Sequence, residues 1–447
     1  MRAARFGCDL RPAQRAGTAA APRPASEDVR VRTRTHTRHH PSDAEAIVLG
    51  GGAAGGAAAL ALARAGRRVL LIEREAAPRE KVCGEFLGAD AAALLARLGL
   101  DLGALGAVPL REACLAHGRR VAAVALPFAA WGLPRRVLDE ALLRAAAEAG
   151  AMVLRGRAAQ AAVAPDPCRP DYSQADRGLA LVEPAIHALG VSTQDDRGLT
   201  AGKGWAVRLA DGTVLRSPHL VLATGKHEMR GLPRTTTGEG ALGLKLHLRL
   251  RADPPEGVAL LACRGGYAGL QPTAGGLANL CAALRVREAD TAAVARDPVA
   301  LLAHVAAGSD LAATLLAGAE PAQPRPLAVA RIPYGFLHRD QPGGAPEGLW
   351  RIGDQFAVIP SFSGDGVAMA LAGGLGAARA IASGDGASAA AFHAALRHRL
   401  AGPMRVAGLV ALLLGHAPGA LVAATARLPG AARQVARRTR LPGDLMT

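Results

Sequence analysis

Between Ala46 and Glu75 the chain reads AIVLGGGAAGGAAALALARAGRRVLLIERE. An apolar run ends in glycine, small residues and leucines recur at helical spacing as far as Arg64, and RVLLIE follows as a second apolar run. The pattern predicts strand, glycine turn, helix and strand, a βαβ unit with both strands parallel in one sheet. Within it, the spacing Gly50-x-Gly52-x-x-Gly55 gives each glycine a task. Gly50 permits the tight turn, Gly52 lets the backbone approach a pyrophosphate, and Gly55 lets the helix pack closely on the strand. The helix N-terminus adds N–H donors and a positive dipole end. Glu73 closes the second strand, where a carboxylate accepts hydrogen bonds from a ribose and repels a 2′-phosphate. This unit accommodates NAD or FAD and disfavours NADP.

The 447 residues suffice for two or three domains. Aromatic residues are only 3%, little material for stacking bases, which weakens a single-stranded nucleic-acid reading, and no nucleic-acid partner is expected. The net charge of +16 comes almost wholly from arginine in a chain rich in Ala and Gly throughout. With no dense basic run in the folded part, it reads as compositional bias rather than as the mark of an acidic partner. The six scattered cysteines contain no CxxC pair, which excludes an ordinary structural zinc site, argues against a disulfide scaffold and suits a reducing cytoplasm. Residues 1–43 are rich in Arg, Ala and Pro without an apolar core, and are expected to be a disordered tail rather than a secretory signal.

Further along, RRVLDEALLRAAAEAG (135–150) predicts an amphipathic helix ended by Gly150. Residues 165–204 are full of turn formers and read as an irregular insertion. GWAVRLADGTVLRSPHLVLATG then predicts a hairpin with an Asp-Gly turn and a buried strand. From Gly240 to Arg285 alternation dominates, as in LGLKLHLRL, and predicts an antiparallel sheet. The expected fold is therefore α/β, a Rossmann-like dinucleotide domain with an antiparallel-sheet substrate domain and C-terminal helices. The boundaries place the discontinuous dinucleotide domain at 44–108, 130–234 and 328–390. The substrate domain takes 109–129 and 235–327, and the C-terminal helices 391–447. The stretch AGLVALLLGHAPGALVAATARL is apolar, but His416 and Pro418 interrupt it, so a packed helical hairpin is expected and peripheral membrane contact stays open.

A second glycine-rich helix start separates the two dinucleotides. RIGDQFAVIPSFSGDGVAMALAGG (351–374) carries a strand ending in Gly353-Asp354 and a helix opened by Gly364-Asp365-Gly366. An acid there suits a ribityl hydroxyl and a helix N-terminus suits a reduced flavin, whereas NAD has no use for either. Together with GGGAAGG…LLIERE, PREKVCGEFLG, PRRVLDEALL and HLVLATGKHEMRG, this segment resembles the geranylgeranyl reductase-like and aromatic-hydroxylase-like FAD oxidoreductases of the para-hydroxybenzoate hydroxylase fold. The resemblance spans most of Ala44 to about Ala395. It implies that Gly50, Gly52 and Gly55 hold the pyrophosphate of FAD and Glu73 the adenosine ribose. It further implies that Arg135 contacts the cofactor, Gly225 lies on the adenine side, and Gly353-Asp354 meets the ribityl chain. Gly364, Asp365 and Gly366 would line the isoalloxazine, with Gly84 close to the ring. The sequence departs from the group in lacking the Ala-Ala-His or Ala-Ala-Gly continuation after Asp354, and in its insertion.

The resemblance implies an FAD-dependent oxidoreductase acting on an apolar or aromatic small molecule, by hydride transfer to a double bond. The alternative is an aromatic hydroxylase using NAD(P)H and oxygen, and a prenyl-binding escort protein stands behind both. The tryptophan-rich motif of the flavin-dependent halogenases is absent. No catalytic residue stands out beyond the cofactor. Glu85 and His247 are candidate proton donors, with His247 expected to face solvent. Cys83 is read as a packing residue, and Tyr267 and Tyr334 as pocket or core. No metal site is expected.

Overall fold

Ala46–Leu49 buries all four of its side chains and Val69–Glu73 all five, as strands do in the middle of a parallel sheet. The structure, a computed structural model, describes residues 44–164, 204–235, 240–285, 291–341, 345–384 and 388–445. The expected tail and nearly all of the expected insertion lie outside these residues. The first sheet is wholly parallel, in the order Leu349–Arg351, His219–Leu222, Ala46–Leu49, Val69–Glu73, Met152–Arg155. Alternation splits its core in two. Ala46 and Val48 face the helices Ala53–Arg64, Arg135–Glu148 and Gly366–Ser383. Ile47 and Leu49 face a three-stranded antiparallel layer around the buried Trp205.

The helix side is packed through small residues. Ala53–Arg64 is mostly alanine and glycine, and a Cβ on Gly374 of the facing helix would lie 2.4 Å from the carbonyl oxygen of Ala54. The backbones of the two helices therefore nearly touch. This contact fixes the first glycine turn against the second.

The other large sheet has nine strands. Its order is Glu320–Pro321, Ala241–Arg249, Leu277–Arg285, Gly266–Thr273, Val258–Cys263, Val108–His117, Arg120–Gly132, Phe86–Gly88, with Leu327–Ile332 also paired to Ala241–Arg249. It departs from a purely antiparallel sheet at one junction, since Val258–Cys263 runs parallel to Val108–His117. One face is apolar: Leu244, Leu246, Leu270 and Leu280 pack against the helices Pro298–Ala306 and Asp310–Leu316. The opposite face carries Lys245 and His247, whose register partners are Cys281 and Asn279.

Gly366–Ser383 is long and apolar enough to cross a membrane, yet more than half of it, 56%, is buried inside the protein, so it is a core helix. The C-terminal helices Ala389–His416 and Pro418–Arg427 are bent by 117° at Ala417, just before Pro418, and Pro429–Arg438 comes after. Gly374→Ala should cost about 1–3 kcal/mol, because the new methyl meets backbone rather than a movable side chain. Urea denaturation of wild type and variant checks this, and equal stability would contradict the close helix contact.

Candidate functional site

The carboxyl ends of the parallel strands and the polar face of the second sheet enclose a cleft of about 940 Å³, counting its open mouth. Of the residues singled out in the sequence, Gly52, Gly84, Arg135, Gly225, Gly353, Asp354, Gly364 and Gly366 all line it. The two glycine turns, more than 300 residues apart in the chain, thus open on the same space. Gly364 has to be glycine, since its φ is +74° and a Cβ would lie 2.3 Å from the Phe86 ring. Gly50 and Gly55 stay behind the lining and hold the turn: a Cβ on Gly55 would meet the Gly50 carbonyl at 1.9 Å.

At Gly52 the helix begins with no side-chain cap and no acid in its first turn. Cations gather there instead. A Cβ on Gly52 would lie 3.4 Å from Arg135 Nη2 and 3.7 Å from Lys81 Nζ. Asp139 holds both cations, accepting from Arg135 Nε at 3.0 Å and pairing with Lys81 at 2.8 Å. Backbone donors and two positive side chains converge on one point, the chemistry that suits a diphosphate. Deeper in the cleft Lys226 Nζ donates to Asp354 Oδ2 at 2.9 Å. Burial would raise the Asp354 carboxyl, but the Lys226 charge holds it below its ordinary value.

Glu73 lies apart from this cleft, in a small neighbouring pocket beside Gly51. Its Oε2 accepts from the Gly51 N–H at 2.7 Å and its Oε1 from Glu75 N at 3.0 Å, so the carboxylate is oriented by backbone at the end of its strand. Gly225 sits in the main cleft with Lys226 and Asp354 and not in the Glu73 pocket. Asp365 is a correction. Its side chain has no exposed surface and turns away from the cleft to an ion pair with Arg440, 2.8 Å away. Burial lifts its carboxyl to about 7, even with the Arg440 charge opposing. The Arg440 guanidinium also stacks 4.3 Å over Phe128 and donates to the Ser363 carbonyl, tying the C-terminal segment beneath the second glycine turn.

His247 is a second correction, because it is buried and not solvent-facing. Its Nε2 meets Glu85 Oε2 at 3.0 Å. Glu85 is wholly buried at φ +60° and also accepts from Lys245 Nζ, from Thr273 Oγ1 at 3.2 Å and from the Arg135 backbone N–H at 3.2 Å. Burial would raise its carboxyl, but the His247 hydrogen bond and the Lys245 charge hold it down to about 2. Lys245 reaches on to Glu80 at 2.7 Å. Asn279 Nδ2 donates to the carbonyls of Cys83 and Gly84 at 3.1 and 2.8 Å, so this cluster shapes the loop that enters the cleft. Glu80, Glu85 and His247 have metal-ligand types, yet Lys245 already pairs with both carboxylates and Arg136 with Glu80. Cys83 and Tyr334 line the cleft, whereas Tyr267 is core, its hydroxyl 2.8 Å from Ser361 Oγ.

Sequence reasoning missed Lys245, Asn279, Lys226 and Arg440. The signal for Lys245 and His247 was present: within LGLKLHLRL they alternate with leucines on one face, ahead of Arg249 at the exposed end of the strand.

Residues 45–81 match the family model of the FAD binding domain. The whole fold is similar to the flavin-dependent brominase Bmp2, with a TM-score of 0.66 at 19% identity over 89% of this chain and 93% of that one. It is also similar to a geranylgeranyl bacteriochlorophyll reductase-like protein of Thermoplasma acidophilum, at 0.61 and 16% over 90% and 94%. PqsL, a probable FAD-dependent monooxygenase of Pseudomonas aeruginosa, aligns at 0.58 and 18% over 88% and 98%. No curated protein sequence matches the chain. At these identities the likeness is one of fold: the architecture is the FAD-binding fold of the resembled group.

Glu85→Gln should lower stability by about 3 kcal/mol at neutral pH, since Lys245 loses a buried partner. The folded-state carboxyl is depressed, so this contribution is complete above about pH 4.5 and disappears as the pH falls towards 2. Denaturation of wild type and variant across that range checks it. A gap that does not close on acidification would mean that the ionised carboxylate is not what stabilises the cluster.

Proposed function

We propose that this chain is an FAD-dependent oxidoreductase that reduces a double bond in an apolar or aromatic small molecule. The observation that carries the reading is the meeting of two glycine helix starts, at Gly52 and Gly366, in one cleft that also holds Arg135 and Asp354. Both dinucleotides have one pyrophosphate, but only FAD adds a ribityl chain for the acid at the second turn and an isoalloxazine for the helix start beyond it. The residues fit the group: the uncapped helix at Gly52 with Arg135 and Lys81 would take the pyrophosphate. Glu73 would take the ribose, Asp354 a ribityl hydroxyl, and the helix start at Gly366 the ring.

The bound flavin would supply the hydride. The chain has to orient the substrate, keep water out and hold a proton. Val82, Val358, Ile359 and Val367 give the cleft apolar walls. Glu85 is ruled out as the proton source, because it is ionised and its oxygens already accept from four donors. Tyr334 lines the cleft, and burial raises its hydroxyl well above the ordinary value, so it stays protonated and suits holding a hydrogen bond to the substrate rather than acting as a strong acid. NADH or NADPH is the proposed electron donor. The scattered cysteines, four of them free among the described residues, support a reducing cytoplasm. The alternative of hydroxylation with NAD(P)H and oxygen is kept because one similar structure is that of a monooxygenase.

The test is an anaerobic titration with NADH and then NADPH, followed by visible absorbance. The reading expects a yellow protein that bleaches and, on admitting air with an aromatic acceptor, inserts no oxygen. Oxygenated product would favour the hydroxylase, and a colourless protein after adding FAD would overturn both. Asp354→Ala should weaken FAD binding by roughly ten- to a hundredfold, read by flavin fluorescence quenching. Unchanged affinity would remove Asp354 from the site.

A further inference from the structure

Among the described residues eight large apolar side chains are exposed, and five of them lie between Leu409 and Val435. Leu409, Leu412 and Leu413 occupy i, i+3 and i+4 of the helix Ala389–His416 and so share one face. Leu409 is 60% exposed and Leu412 59%, while Met404, Ala407 and Leu414 bury the other side. Leu428 follows, 61% exposed at the corner before Pro429–Arg438, a helix that buries none of its side chains. Such a concentration of exposed leucine is more than single surface apolar residues explain.

The charge around it is one-sided. From residue 386 to 443 the sequence holds eight arginines and no acidic residue, against 53 basic and 37 acidic residues in the whole chain. Arg405, one helical turn before Leu409, Arg427, next to Leu428, and Arg433, Arg437 and Arg438 on the last helix are all exposed. General compositional bias gives a surplus of arginine but does not remove every acid from so long a stretch. These helices are also firmly seated. Leu414 and Leu421 pack on Tyr267 and Phe362, and Arg440 is fixed to Asp365. The exposed face is thus carried on a rigid support.

We propose that this C-terminal helical face docks on an anionic lipid surface, with the leucines entering the acyl boundary and the arginines meeting phosphate headgroups. A purely acidic protein partner would use the arginines but would leave the leucine face wet, so the combination favours a bilayer. The proposal stands independently of which cofactor fills the cleft.

Co-sedimentation of the full-length protein with vesicles tests it, using phosphatidylcholine alone and phosphatidylcholine mixed with phosphatidylglycerol. The protein should bind the mixed vesicles and release from them at high salt. Residues 1–43 are themselves rich in arginine, so the variants decide. L409S/L412S/L413S should lose about tenfold or more of the binding while keeping the wild-type melting temperature. R433Q/R437Q/R438Q should lose roughly a hundredfold. Failure to bind mixed vesicles would overturn the proposal, and so would binding that the leucine variant leaves intact. Two further results would also overturn it: capture by an acidic carrier protein in place of vesicles, or a dimer that the leucine variant dissolves.

Discussion

Glu85 has no exposed surface, stands at φ +60°, and accepts hydrogen bonds from both halves of the molecule. His247, Lys245 and Thr273 reach it from the nine-stranded sheet, and the Arg135 N–H reaches it from the helix beside the dinucleotide turn. A lone buried carboxylate costs several kcal/mol, so these donors cannot be spread apart without penalty. Their convergence clamps the loop of Cys83 and Gly84 between the two sheets. Arg135, whose backbone is held by Glu85, then projects its guanidinium toward Gly52. The position of the cations beside Gly52 therefore follows from the same buried group that joins the sheets.

The cleft divides its labour along its length. At the Gly52 end backbone N–H groups and two cations face inward, with Asp139 orienting the cations rather than cancelling them. Toward Gly366 the walls become apolar and the polar groups fewer, with Tyr334 and Cys83 among them. A charged, fixed end and an apolar end suit a large cofactor whose ring meets an oily substrate.

Local pattern explains why the first βαβ unit could be read from residues alone. Its strand burial, helix spacing and glycine turn all depend on neighbours within about 30 residues. The second glycine turn was legible for the same reason, as was the leucine alternation of Ala241–Arg249. The Glu85 cluster was not, because its side-chain partners are 160 to 188 residues away and no local periodicity encodes such pairings. His247 was misjudged on one rule: alternation on a strand implies a wet face only when nothing covers that face, and here Glu85 and its loop do. Asp365 was misplaced since its partner, Arg440, comes from the last turn of structure before the C-terminus.

The most direct test of the account is calorimetric titration of the cofactor-stripped full-length chain with FAD and, separately, with NAD+. One FAD bound per chain, undisturbed by excess NAD+, is the predicted result, because on this reading only FAD would occupy both glycine turns. Displacement of FAD by NAD+, or binding of neither, would contradict the claim that the two turns form one flavin cleft.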